Sequence, residues 1–125
     1  MGGLVLDAGA LIGFDRNDRR VVLMLRRVSE RGEHITIPAG ALAHAIRSPE
    51  RQARLARLVR QPTVTVVPLD RADATSIGRM LAATGASDVV DAHVVLCAWR
   101  AEQPVVTTDA ADLLALDPRL RVVRL

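Results

Sequence analysis

Three aspartates occupy positions where a carboxylate needs a chemical reason. Asp7 directly follows a short apolar run, and Asp109 follows another near the carboxyl end of the chain. Asp91 is surrounded by four valines and one alanine (Val89, Val90, Ala92, Val94 and Val95), which predicts a helix that is apolar nearly all round and therefore buried. A buried carboxylate is unfavourable unless a positive charge meets it. Oxygen-only carboxylate sites suit Mg²⁺ or Mn²⁺, so the three aspartates predict a shared site for a divalent metal.

Helix capping is the alternative interpretation of these acids. Short acids are favoured at helix N-termini, where they accept hydrogen bonds from free backbone amides. Asp109, with Asp112 three residues later, is a candidate for such a cap, and so is Asp88. Capping or solvent exposure is the preferred interpretation of Asp88 and Asp112. No cap is expected at Asp7, so the metal interpretation is preferred for Asp7, Asp91 and Asp109.

The composition excludes several classes of enzyme. The chain has 125 residues, the size of one compact domain, so we expect a single domain over 1–125. All 17 basic residues are arginine, and ten of the 14 acids are aspartate. The absence of lysine excludes a Schiff-base enzyme, a lysine-containing phosphate loop and a phospho-acceptor receiver domain. The single cysteine, Cys97, permits no internal disulfide and is expected to fill the core.

Positive charge is concentrated in the first half of the chain. Residues 1–60 carry 11 arginines and six acids, whereas residues 61–125 carry six arginines and eight acids. Arginine contacts phosphate in a bidentate way, so these residues either line the approach of a polyanionic partner to the acidic site or form a solvated helix face. With only Phe14 and Trp99 as aromatic residues, a stacking platform for single-stranded nucleic acid is not expected. The arginines in question are Arg16, Arg19, Arg20, Arg26, Arg27, Arg31, Arg47, Arg51, Arg54 and Arg57.

Strands and helices are predicted to alternate along the chain. The predicted strands cover 3–6, 34–37, 63–69, 104–107 and 121–125. The predicted helices cover 18–31, 39–47, 50–60, 71–84, 88–100 and 110–116, with Gly32 and Gly85 as stops and Ser87 as the cap of the fifth. Right-handed crossovers then give a three-layer α/β/α sandwich with a central parallel sheet. The binding crevice of such a sheet lies beyond the carboxyl ends of its strands, where Asp7 and Asp109 are predicted.

Targeting signals are not evident in this sequence. It has no basic and apolar leader with a cleavage site, and no apolar stretch of about 18 residues that would span a membrane. We therefore expect a cytoplasmic protein without a membrane partner.

Three short motifs give the chain a family resemblance. LVLDAGALI at 4–12, DVVDAH at 88–93 and VVTTDAADLL at 105–114 resemble, in order and spacing, the PIN-domain ribonucleases. In size the chain is most similar to the VapC-type toxins of bacterial toxin-antitoxin pairs. The resemblance implies a PIN-like fold, a Mg²⁺ or Mn²⁺ cofactor, and endonucleolytic cleavage of structured RNA such as tRNA, rRNA or mRNA. It also implies homodimers and inhibition by a small antitoxin that inserts a segment into the pocket.

The site residues of the family can be carried over by position. Asp7, Asp91 and Asp109 match the catalytic, metal-binding acids, and Thr107 matches a hydroxyl residue that supports them. Bound metal would activate a water and neutralise charge on the phosphate, so the predicted reaction is metal-assisted hydrolysis of a phosphodiester bond.

The sequence departs from the family pattern at two positions. The family usually has a glutamate in the helix after the second strand, where this chain has His44, and often a polar residue at the position of Gly9. Imidazole lowers the negative charge of the site and is a poor ligand for Mg²⁺. Asp88, Asp112 and His44 are therefore further candidate metal ligands, and packing remains an alternative for His44. The alternative function is a catalytically weakened PIN-fold module that binds RNA or an antitoxin.

Overall fold

A five-stranded parallel sheet forms the centre of the structure, a computed structural model that describes residues 2–125. The strand order is β3-β2-β1-β4-β5, and every neighbouring pair is parallel. The strands are β1 (Gly3–Leu6), β2 (His34–Pro38), β3 (Val64–Val67), β4 (Val105–Thr107) and β5 (Val122–Arg124).

Seven helices in the described residues flank this sheet. They are α1 (Ala8–Asp15), α2 (Arg19–Glu30), α3 (Ala39–Ala45), α4 (Ala53–Val59), α5 (Arg71–Thr84), α6 (Val89–Ala101) and α7 (Ala110–Leu116). This arrangement confirms the predicted α/β sandwich with a central parallel sheet.

The central strands β1 and β4 explain why the sheet is parallel and covered on both faces. Val5, Leu6, Val105 and Val106 are fully buried, and Val5 pairs with Val105 in the sheet register. A strand that is apolar on both faces can be stable only where helices cover both faces, as they do in parallel sheets. These two adjacent strands end at the same edge of the sheet, and that edge carries Asp7 and Asp109.

Most predicted elements agree with the structure, but one helix is additional and two predictions need correction. The helices over 71–84 and 110–116 begin and end as predicted, and Gly32 and Gly85 end α2 and α5 with left-handed backbone. Helix α1 was not predicted, because its residues are apolar on almost every side and show no helical periodicity. The helix predicted over 50–60 begins only at Ala53, after a short 3-10 turn at Pro49–Arg51. The cap of α6 is Asp88 rather than Ser87.

Helix α6 is the central helix of the core. Its residues from Ala92 to Ala98 are buried, including Cys97, which fills the core as expected. Burial raises the pKa of the Cys97 thiol to about 11, so the group stays protonated at neutral pH. Among residues 2–125 no single helix is long and apolar enough to cross a membrane. Helices α5 and α6 reach that length only as a pair, and the pair is bent by 110°.

Candidate active site

All six acidic and histidine side chains that the sequence singled out as candidate ligands line one cleft at the carboxyl edge of the sheet. The cleft has a volume of about 190 Å³. Asp7 and Asp109 enter it from the ends of the adjacent strands β1 and β4, as parallel topology requires. The six residues are Asp7, His44, Asp88, Asp91, Asp109 and Asp112.

Asp7 is both a buried acid and a helix cap. Its carboxylate accepts a hydrogen bond from the backbone N–H of Ala10 at 2.8 Å, which caps α1. The expectation that no cap explains Asp7 is therefore wrong, because α1 begins directly after β1. Burial nevertheless raises the pKa of Asp7, although hydrogen bonds from Thr107 and Ala10 act in the opposite direction. The cap satisfies one oxygen without removing the cost of the buried charge.

Thr107 links two of the acids from beneath the cleft. Its side chain is buried, and its hydroxyl oxygen accepts a hydrogen bond from the backbone N–H of Asp109 at 2.8 Å. The same hydroxyl acts on the Asp7 carboxylate as a hydrogen-bond donor and lowers the pKa of Asp7. Thr107 thus holds the backbone that carries Asp109 and influences the Asp7 carboxylate, and its supporting role in the site stays a prediction.

The remaining capping predictions divide between Asp88 and Asp109. Asp88 accepts a hydrogen bond from the backbone N–H of Asp91 at 3.0 Å and caps α6, as its preferred interpretation states. Asp109 occupies the N-cap position of α7 but makes no capping hydrogen bond with its side chain. Its carboxylate is exposed at the cleft, and so is that of Asp112 one turn later. Capping therefore accounts for Asp88 and not for Asp109.

Asp91 carries the largest electrostatic penalty in the cleft. Its side chain is half-buried, and its pKa is raised to about 6. Burial is the main cause, and the negative charges of Asp88, Asp112, Asp109 and Asp7 all act in the same direction. Each of the other four aspartates in the cleft therefore helps to raise the pKa of Asp91. No arginine is among the residues that line the cleft.

The donor set fits a hard divalent cation in kind. It offers carboxylate oxygens, which Mg²⁺ and Mn²⁺ prefer, and it holds an excess of negative charge that such a cation would offset. Within residues 2–125, no three His, Cys, Asp or Glu side chains are already closed around a common point that would hold a metal. Binding would therefore require the carboxylates to rotate toward the cation, and the assignment of ligands stays a prediction.

The two departures from the family pattern both lie at this cleft. His44 is exposed near the end of α3, and its Nε2 lies 3.2 Å from Nη2 of Arg47. A Cβ atom on Gly9 would overlap the Thr108 hydroxyl, so glycine at this position leaves room for that threonine. The sequence pattern does not identify Thr108 as part of the cleft, although this residue stands between Thr107 and Asp109 in the motif at 105–114.

Most arginines of the first half line grooves other than the acidic cleft, which favours the alternative of a solvated helix face over an approach to the acids. Arg26, Arg54 and Arg57 line a groove of about 330 Å³ beside Phe14. Arg20, Arg27, Arg31 and Arg121 line another of about 660 Å³ near the start of β1. The helical pattern identifies which face of a helix is exposed but not which end of the sheet that face borders. Of these arginines, Arg47 reaches the cleft through its contact with His44.

Replacing Asp91 with asparagine is expected to stabilise the metal-free protein at pH 7. The folded state raises the pKa of Asp91, so the folded protein binds this proton more tightly than the unfolded chain, and stability falls as the pH rises from 4 toward 6. After allowance for solvent screening, we expect a gain of about 1 kcal/mol, or roughly 4 °C in Tm. Thermal unfolding at pH 7 and pH 4 measures it, with Glu30→Gln on α2 as the control. A gain that is equal at both pH values would contradict the charge explanation.

Comparison with known proteins identifies the fold. No protein-family model and no curated protein matches the chain. Two solved structures are similar over nearly the whole chain. The first is FitAB bound to an IR36 DNA fragment, with a TM-score of 0.67 and 15% sequence identity. The match covers 97% of this chain and 94% of the FitAB chain. The second is FitAcB from Neisseria gonorrhoeae, with a TM-score of 0.64 and 18% sequence identity. The match covers 97% of this chain and 96% of the FitAcB chain. The chain therefore has the α/β PIN-like fold.

Proposed function

We propose that this protein is a metal-dependent endoribonuclease that hydrolyses phosphodiester bonds of structured RNA and acts as the toxin of a toxin-antitoxin pair. The observation that carries the proposal is the convergence of five aspartates, from three segments of the sequence, on one cleft. Their charges together contribute to raising the pKa of Asp91 to about 6. A binding module without chemistry has no evident need for such a costly cluster.

Asp7, Asp91 and Asp109 are the residues that would hold Mg²⁺ or Mn²⁺, with Asp88 and Asp112 at the rim. When bound, the metal supplies a water of lowered pKa and offsets charge on the phosphate. The chain itself positions the ligands. Thr107 bonds to the backbone of Asp109 and acts on Asp7, while the Ala10 N–H holds one oxygen of Asp7.

The partners in this proposal are an RNA substrate, a small antitoxin protein and a second copy of the chain. The two similar structures are FitAB bound to an IR36 DNA fragment and FitAcB from Neisseria gonorrhoeae. They support the proposal at the level of the fold. The arginine content suits a polyanion, and the near absence of aromatic residues favours a folded RNA over a stacked single strand.

The direct test is cleavage of total tRNA, rRNA and mRNA by the purified protein with Mn²⁺, compared with Asp7→Ala prepared in the same way. The proposal expects cleavage by the wild type, its loss with EDTA, and its loss in the variant. Equal background cleavage by both proteins would overturn the proposed enzymatic activity. A small open reading frame directly upstream of the gene would support the toxin assignment, and its absence would weaken that assignment without affecting the nuclease.

A second candidate function is a PIN-fold module that binds RNA or an antitoxin without catalysis. It is favoured by one observation, namely that His44 replaces an acid and that its Nε2 contacts Arg47. This candidate expects an inactive wild type and a gain of cleavage in His44→Glu, because the substitution restores the missing carboxylate.

Metal binding itself is expected to be visible as stabilisation. A ligand that binds only the folded state at 100 times its Kd adds about 2.7 kcal/mol, which is roughly 10 °C in Tm for a chain of this size. We therefore expect saturating Mn²⁺ to raise the Tm of the wild type and not that of Asp7→Asn. An equal rise in both proteins would place the ion outside this cleft.

A further inference from the structure

His44 brings a different kind of donor to an otherwise acidic cleft. Apart from His44, every titratable side chain that lines the cleft is an aspartate. His44 Nε2 lies 3.2 Å from Nη2 of Arg47, and both side chains are exposed. The spacing of three residues brings the two side chains together at the end of α3.

The hydrogen bond with arginine determines which ring nitrogen of His44 carries the proton. A guanidinium group has five N–H donors and no acceptor, so the hydrogen bond requires His44 Nε2 to accept. The neutral imidazole then carries its proton on Nδ1. In this arrangement neither ring nitrogen is free to bind a metal, and the pair offers only N–H donors. Such a pair suits a phosphate oxygen better than a cation.

A buried glutamine holds the backbone from which Arg47 extends. Gln52 is nine-tenths buried, and its Oε1 accepts hydrogen bonds from the backbone N–H of Arg47 at 2.9 Å and of Ser48 at 3.1 Å. Its Nε2 donates to the carbonyl of Ala45 at 2.9 Å. These bonds replace the helical ones that are lost where α3 ends. The Arg47 side chain is thus exposed, but its starting point is fixed.

We infer that His44 and Arg47 form a phosphate-anchoring pair that binds an RNA phosphate at the edge of the cleft. The inference rests on the proposed function, because it assumes that the cleft receives an RNA strand. Five carboxylates repel a phosphodiester, and a single divalent cation offsets only part of their charge. A cationic donor pair at the edge of the cleft attracts the strand and fixes its direction. His44 and Arg47 would then determine binding rather than the chemical step.

The test compares Arg47→Gln and His44→Gln with Arg51→Gln. Arg51 is an exposed arginine in the neighbouring turn and serves as the matched loss of one charge. Affinity is measured by anisotropy with fluorescein-labelled bulk tRNA in EDTA, where metal-dependent cleavage cannot occur. We expect Arg47→Gln to weaken binding about tenfold and to lower the slope of log affinity against log salt by about one. Arg51→Gln should change affinity less than twofold, and Arg47→Lys should lie between them.

Kinetics with Mn²⁺ give a second readout. Arg47→Gln is expected to raise KM with kcat nearly unchanged, because the pair contributes to binding in ground state and transition state alike. His44→Glu is expected to weaken tRNA binding more than His44→Gln, since it adds a sixth carboxylate. An unchanged Tm in each variant shows that the helix end is intact.

The outcomes separate this inference from the proposed function. If Arg47→Gln and Arg51→Gln lose tRNA affinity equally, the pair is not a specific anchor and the inference is overturned. It is also overturned if Arg47→Gln loses no affinity, or if the wild type does not bind tRNA. A His44→Glu variant that cleaves faster at unchanged KM would overturn it as well. If Arg47→Gln selectively loses tRNA affinity but the wild type does not cleave RNA, the anchoring role of the pair is supported and the proposed nuclease activity is overturned.

Discussion

Asparagine in place of Asp7 is expected to reduce Mn²⁺-dependent RNA cleavage by about 10²-fold or more while the protein stays folded. Asparagine keeps a side-chain oxygen that accepts from the Ala10 N–H, so the cap of α1 is retained. It loses the negative charge that a metal requires. Loss of an outer-shell partner of a metal ligand typically costs about 10–100-fold, and loss of a ligand itself is expected to cost at least as much.

Alanine at the same position separates the cap from the charge. Asp7→Ala loses both, so we expect the same loss of cleavage together with a stability lower by about 1 kcal/mol. Asp18→Asn is the matched control, because Asp18 caps α2 by accepting from the Arg20 N–H and does not line the cleft. Cleavage of bulk tRNA and urea unfolding measure the two effects. If Asp7→Asn retained most of the activity, Asp7 would be a cap and not a metal ligand.

The fold was predictable because its signals are local. Apolar runs such as 3–6 and 104–107 predict buried parallel strands, and α5 is bounded by Asp70 as its cap and Gly85 as its stop. Helix α1 escaped prediction for a physical reason. It is covered on several sides and therefore lacks the polar face that makes a helix visible in a sequence.

The position of the acids was predictable from topology, and their environment was not. Parallel strands end at one edge of a sheet, which was enough to bring Asp7 and Asp109 together. The cap on Asp7 depended on the unpredicted α1. The placement of Arg26 and Arg27 in two different grooves depended on how α2 packs on the sheet. Contacts of this kind join residues far apart in sequence, and composition carries no information about them.

The clearest example is a cluster of ionisable side chains between α5 and α6, which no sequence pattern indicates. Asp73 on α5 is buried, and its Oδ1 accepts a hydrogen bond from Arg100 Nη1 on α6 at 2.5 Å. His93 Nε2, fully buried on α6, lies 3.8 Å from Asp73 Oδ2. The hydrogen bond from Arg100 lowers the pKa of Asp73, whereas burial lowers the pKa of His93. Buried negative charge in this sequence suggests a metal as its partner, but at Asp73 an arginine provides the opposite charge.

Both shifts make the packing of α5 on α6 sensitive to acid, for different reasons. His93 is neutral in the folded protein, and the unfolded chain binds its proton more readily. Stability is therefore lost as the pH falls below about 6.5. The Asp73 contribution is present above the ordinary value of 3.8 and is lost as the pH falls through the lower folded pKa. The histidine should begin the acid transition and the aspartate should complete it.

Replacing Asp73 with alanine is therefore expected to be the most destabilising of the substitutions considered, with a fall in Tm of about 10 °C at pH 7. Removal of one partner of a buried pair is strongly destabilising, although Arg100 is half exposed and partly recovers hydration. Arg100→Gln should also destabilise at pH 7, because it leaves the Asp73 carboxylate buried without a cation. Its deficit should shrink toward pH 4, since Asp73 can then take up a proton, whereas the deficit of Asp73→Ala should persist. Thermal unfolding of the two variants and their double at pH 7, 5.5 and 4 distinguishes these outcomes. If the double variant loses as much stability as the two single variants together, the residues do not interact directly. For a direct pair the loss in the double variant is smaller than that sum, because either single substitution already removes the interaction.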